Sequence, residues 1–106
     1  MYEHIVVFKF RTELPAAQEE GLLTQLRSFQ GVIPGIVSMS AGRNVTRETE
    51  NIHGFSIGLR ITFEDHAALM AYGPHPAHQA FVASLDGLVE QVVVVDYEIG
   101  KETNRA

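Results

Sequence analysis

Two segments of this 106-residue chain are apolar on both faces of a strand, and that narrows the folds open to it. Val92-Val93-Val94-Val95 is a continuous run rather than an alternation, the pattern of a strand buried on both sides. At the other end of the chain, Tyr2, His4, Val6, Phe8 and Phe10 alternate with Glu3, Ile5, Val7, Lys9 and Arg11. Ile5 and Val7 therefore oppose Val6 and Phe8. A sheet with one wet face needs neither feature.

Between these strands the periodicity switches twice. Leu14-Pro15 opens a helix to about residue 30, with proline in the first turn and Leu22, Leu26 and Phe29 on one stripe beside Leu23. Ile33-Pro34-Gly35-Ile36 turns into a more polar strand over about 36–43, which reads as an edge. Residues 44–53 lack periodicity and read as an exposed loop. Over 54–63, Phe55, Ile57, Leu59, Ile61 and Phe63 alternate with Ser56, Gly58, Arg60 and Thr62. Asp65 is a helix N-cap for 66–72, Gly73-Pro74 breaks that helix, and Pro76 begins another with Ala77, Phe81, Leu85 and Leu88 on its stripe. The last strand spans 91–99, and a polar tail follows over 100–106.

The order β-α-β-β-α(α)-β is the split βαβ pattern of the ferredoxin-like α+β fold, an antiparallel four-stranded sheet with helices on one face. The other face would be wet in a single copy. Ile5 and Val7, with Val93, Val95 and Tyr97 or their alternates, would leave an apolar patch there. An identical subunit across a two-fold axis is the simplest cover, so the sequence predicts a homodimer over residues 1–99.

Composition removes several function classes. Acidic residues outnumber basic ones, 13 to 8, with no basic block, which disfavours nucleic acid and anionic membranes. No cysteine is present, so disulfides, thiolate catalysis and cysteine-held metals are out, and a cytoplasmic location fits. No signal-peptide pattern or membrane-spanning apolar run is read in the chain.

The segment Tyr72-Gly73-Pro74-His75-Pro76-Ala77-His78 concentrates a phenol and two imidazoles between two helices. Such groups do acid–base work near neutral pH. His75 precedes the helix-opening proline and has a structural reading at the helix start. In the ferredoxin-like order the first and last strands are antiparallel neighbours, which brings His4 and Asp96 to the same end of the sheet. A carboxylate beside an imidazole sets its tautomer. A base so oriented, near a phenol, abstracts a proton beside a carbonyl with no metal or organic cofactor. His75 and His78 lack a third ligand, so no metal site is read. His53 and His66 look exposed and carry no assignment.

Specific stretches then resemble a known family. His4-Ile5-Val6-Val7-Phe8-Lys9-Phe10, Ile33-Pro34-Gly35-Ile36, Phe63-Glu64-Asp65, Ala71-Tyr72, His75-Pro76-Ala77-His78-Gln79-Ala80-Phe81 and Val93-Val94-Val95-Asp96-Tyr97 look like the stress-responsive A/B barrel (Dabb) domain family, over residues 2–99. The resemblance implies a dimeric α+β barrel. It further implies one of two functions: cofactor-independent acid–base chemistry on an enolisable carbonyl, as in a plant member that cyclises a polyketide, or a non-catalytic, stress-responsive homo-oligomer. By the first, His78 is the general base, Tyr72 donates to a developing oxyanion, His4 lies near the first strand's start, and Asp96 orients His78. The implied substrate wall is Val6, Phe8, Leu22, Leu23, Leu26 and Phe81, facing a small apolar carbonyl ligand. The family member's first-helix aromatics are leucines here, and its last-helix tryptophan has no counterpart, since the chain contains none.

Overall fold

A computed structural model describes residues 1–100. Four strands, β1 (Tyr2–Phe10), β2 (Ile36–Arg43), β3 (Phe55–Phe63) and β4 (Val89–Glu98), form one sheet, with α1 (Ala16–Arg27) after β1, and α2 (His66–Tyr72) and α3 (Pro76–Ser84) between β3 and β4. The order is β2-β3-β1-β4, and every neighbouring pair is antiparallel. This is the α+β, ferredoxin-like arrangement expected, with β2 at an edge. The polar tail lies outside the described residues from 101 on.

The helices lie against β1, β2 and β3. His4, Val6, Phe8 and Phe10 on β1, and Ile57, Leu59, Ile61 and Phe63 on β3, point into that layer and are buried. They meet Leu22, Leu23, Leu26 and Phe29 from α1 and its C-terminal turn, Leu69 and Tyr72 from α2, and Phe81 from α3. The first helix is shorter than its apolar stripe: it stops at Arg27, where the Ser28 hydroxyl donates to the Gln25 carbonyl. Phe29 still drops into the core from the turn that follows. Gly35, at φ +86°, brings the start of β2 so close to α2 that a Cβ there would lie 2.4 Å from the Ala68 Cβ. That approach helps fix α2 and the tyrosine at its end.

β4 departs from its expected environment. Within one chain it is an edge strand exposed on both sides, with Val92 to Val95 each 41–52% exposed. Register separates its two faces. Asp96, Val94 and Val92 pair with His4, Val6 and Phe8, and so look toward the helices. Val93, Val95 and Tyr97 pair with Val7, Ile5 and Glu3 on the open face. The helix layer stops short of β4, and a cleft begins there.

Candidate functional site

The cleft, about 470 Å³, lies between β1 and β4 on one side and α2 and α3 on the other. Its walls are mostly aliphatic and aromatic, including Val6, Phe8, Val92 and Val94 from the sheet and Met70, Phe81, Val82 and Leu85 from the helical side. At one end four polar side chains converge: His4, Asp96, Tyr72 and His78.

Each polar group is placed by a local rule. His4 and Asp96 are directly opposed across β1 and β4, a pairing that brings side chains into contact. His4 Nδ1 lies 2.6 Å from Asp96 Oδ1. A carboxylate only accepts, so in the neutral imidazole Nδ1 carries the proton and Nε2 keeps its lone pair. His4 is almost enclosed, its side chain 11% exposed, while the Asp96 side chain is 39% exposed.

His78 lies on the first turns of α3. That helix is started by Pro76 and by His75, whose Nδ1 accepts from the Ala77 amide at 3.0 Å. His75 is thus a structural cap, as expected. His78 Nδ1 donates to the Gly73 carbonyl at 2.8 Å, and the Gln79 side-chain amide donates to the same oxygen at 2.8 Å. A carbonyl cannot donate, so His78 also carries its proton on Nδ1 and leaves Nε2 free to take one.

Tyr72 stands between the two imidazoles. Its ring centroid is 5.2 Å from that of His4 and 4.4 Å from that of His78, and it packs against Phe63 and Phe29. α2 holds it there, capped by Asp65, which accepts from the Ala68 amide at 2.8 Å. The residue is 5% exposed. Its hydroxyl has no hydrogen-bond partner among the described residues, yet no polar side-chain atom is left buried and unpaired, so the hydroxyl meets the cleft. Burial pushes the phenol well above its ordinary value, because ionisation would put a charge into low dielectric. Tyr72 is therefore a proton-bearing donor at neutral pH.

Of the residues expected at the site, His4, Tyr72, His78, Asp96, Val6, Phe8 and Phe81 meet at the cleft. Leu22, Leu23 and Leu26 do not: they are 0–6% exposed in the core behind it, because α1 packs flush on the sheet. Asp96 bonds His4, not His78, which takes the Gly73 carbonyl in its place. Met70, Val82, Leu85, Val92, Val94 and the Gly73 carbonyl are additional. The valine run was the one visible signal among them. Among the described residues no cluster of three or more His, Cys, Asp or Glu side chains could hold a metal ion. No helix among them is long and apolar enough to cross a membrane.

The arrangement is that of a ferredoxin-like domain with a histidine–tyrosine cleft between its helices and its sheet. The chain belongs to the stress responsive A/B barrel domain family, whose model matches residues 2–99. It is 27% identical over 95 residues to olivetolic acid cyclase of Cannabis sativa, covering 90% of this chain and 93% of the cyclase. Among solved structures it is similar to a dimeric ferredoxin-like protein from Jannaschia sp., at 28% identity and a TM-score of 0.73, covering 92% and 98% of the two chains. The hydroxynitrile lyase of Passiflora edulis shares the fold, with a TM-score of 0.80, 21% identity and 94% of each chain covered.

Proposed function

We propose that this protein is a homodimeric, cofactor-independent acid–base enzyme acting on a small, uncharged, enolisable carbonyl compound, in the manner of a polyketide cyclase. The observation carrying this reading is the convergence of two Nε2-free imidazoles and one protonated phenol at the end of an apolar cleft. In the proposed reaction His78 Nε2 removes the proton beside the carbonyl. The C–H electron pair moves into the new C=C bond, and the carbonyl oxygen becomes an enolate that Tyr72 stabilises by donating a hydrogen bond. The enolate carbon then attacks a second carbonyl, and the alkoxide so formed takes the proton from His78. His4, oriented by Asp96, is the second acid–base pair at the same end.

The charge of the ligand follows from the walls. None of the lining residues is lysine or arginine, and the one carboxylate is Asp96. A carboxylate or phosphate ligand would lie in an apolar cleft beside a like charge with no fixed cation to pair it, which is costly. A ketone or aldehyde meets no such cost. Similarity to olivetolic acid cyclase supports the reaction class. The apolar open face and the dimeric relative support the homodimer. A cysteine-free chain fits the cytoplasm.

The test is amide-resolved NMR with octan-2-one and octanoate added separately at pH 8. Octan-2-one should shift the resonances of Val82, Val92, Val94 and Asp96, and octanoate should not. Equal shifts from both would overturn the neutral-ligand reading. No shift from either would leave the cleft without a ligand and favour the alternative of a non-catalytic, stress-responsive homo-oligomer.

A further inference from the structure

One carbonyl at the corner between α2 and α3 is served by side chains alone. Gly73 closes α2, and in a continuing helix its oxygen would accept from the amide of Ala77, four residues on. Here His75 Nδ1 takes that amide at 3.0 Å. Pro74 and Pro76 have no amide proton to give. The His75 amide donates back to the Tyr72 carbonyl at 3.1 Å. Among the described residues no backbone amide across this corner donates to the Gly73 oxygen. Its two partners come from the first turns of α3: His78 Nδ1 at 2.8 Å and Gln79 Nε2 at 2.8 Å.

The Gly73–Pro74 peptide therefore has few restraints. Its one hydrogen-bonding atom is that oxygen, because proline carries no N–H. Gly73 has no side chain to pack, and a Cβ built there meets nothing within 4 Å. Yet this oxygen decides which nitrogen of His78 carries the proton. With His78 as its only partner, imidazole and carbonyl could turn together. Gln79 supplies a hold that does not depend on His78. It is exposed and is not a wall of the cleft, so it neither meets a ligand there nor fills the core.

We propose that Gln79 is a positioning residue: its side-chain amide pins the Gly73 carbonyl, and the pinned carbonyl holds His78 with its proton on Nδ1 and its Nε2 free. The inference rests on His78 as the base of the reaction proposed above and adds the group that keeps it in the basic tautomer. A carbonyl oxygen has two lone pairs, so it accepts from both donors at once. What position 79 must supply is a donor, since the Gln79 side chain bonds the corner only through Nε2. Glutamate keeps the shape but, when ionised, only accepts, and would set oxygen against oxygen.

The experiment is long-range proton–nitrogen NMR of the histidine rings at pH 8, which reads the tautomer of each ring, on wild type, Gln79→Leu and Gln79→Glu. Octan-2-one exchange in deuterated water and urea unfolding are measured on the same samples. Wild-type His78 should be the Nδ1–H tautomer alone, and both variants should show the Nε2–H form beside it. Exchange should fall about threefold to tenfold, the contribution of one hydrogen bond. The fall should lie in kcat rather than KM, because the cleft walls are unchanged. Leucine and glutamate both suit an exposed helix position, so the unfolding midpoint should stay at the wild-type value. Ser84→Ala removes another side-chain bond on the same helix, from the hydroxyl to the Ala80 carbonyl at 3.1 Å, and should change neither tautomer nor exchange. A single Nδ1–H tautomer in both Gln79 variants would overturn the positioning role, whatever the exchange rates. An Nε2–H tautomer in wild type would overturn it too. A tautomer shift in the variants of a protein whose wild type exchanges no protons would support the positioning role and overturn the enzyme reading instead.

Discussion

Tyr72→Phe separates catalysis from folding at this site. The ring is 5% exposed and packed among His4, Phe63, Phe29 and His78, so truncation to alanine would cost about 3–5 kcal/mol of stability. Phenylalanine keeps the ring. It removes only a hydroxyl that has no hydrogen-bond partner among the described residues, so no donor or acceptor is orphaned, and stability should change by less than about 0.5 kcal/mol. In the proposed reaction that hydroxyl is the donor to the enolate oxygen. Losing one such donor costs roughly 2.7–4 kcal/mol of barrier, or about a hundredfold to a thousandfold in rate. The assay is NMR exchange of the protons beside the carbonyl of octan-2-one in deuterated water, alongside urea unfolding of each variant. Tyr72→Phe should unfold at the wild-type midpoint while exchange collapses. Exchange at the wild-type rate would remove the phenol from the mechanism. A large drop in midpoint would show the hydroxyl to be structural.

Two further outcomes follow from the same geometry. Asp96→Asn keeps the shape but not the charge opposite His4 Nδ1, and Asp96 is partly exposed, so urea unfolding should report a loss of about 1 kcal/mol; if catalytic exchange is also untouched, the His4–Asp96 pair serves the fold alone. The raised Tyr72 phenol gives a signed pH dependence: its contribution is fully present below pH ~10, the unfolded value, and is lost as pH rises from there toward the folded one. Wild type should therefore lose stability above pH ~10 more steeply than Tyr72→Phe, and parallel curves would show that burial does not hold the proton on.

The strand pattern and the element order were legible because period-two alternation and helix caps are local. Even the opposition of His4 and Asp96 followed, since strand order and antiparallel sense set which ends meet. What the pattern could not carry was side-chain choice at close range. Asp96 could reach only one imidazole, and directly opposed residues on paired strands are nearer than a helix residue across the cleft. Leu22, Leu23 and Leu26 share a stripe whether a helix lines a cavity or a solid core, and here the core holds them. Val92 to Val95 signalled two apolar environments, but not that one would be a cleft wall and the other an open sheet face.

The central claim is that the cleft removes a proton beside a carbonyl using His78. The direct measurement is the exchange rate of octan-2-one in deuterated water with wild type and with His78→Ala, at equal concentrations of folded protein. The account predicts exchange above the buffer rate with wild type and a fall to near the buffer rate without the imidazole. Equal rates for wild type and His78→Ala would contradict it.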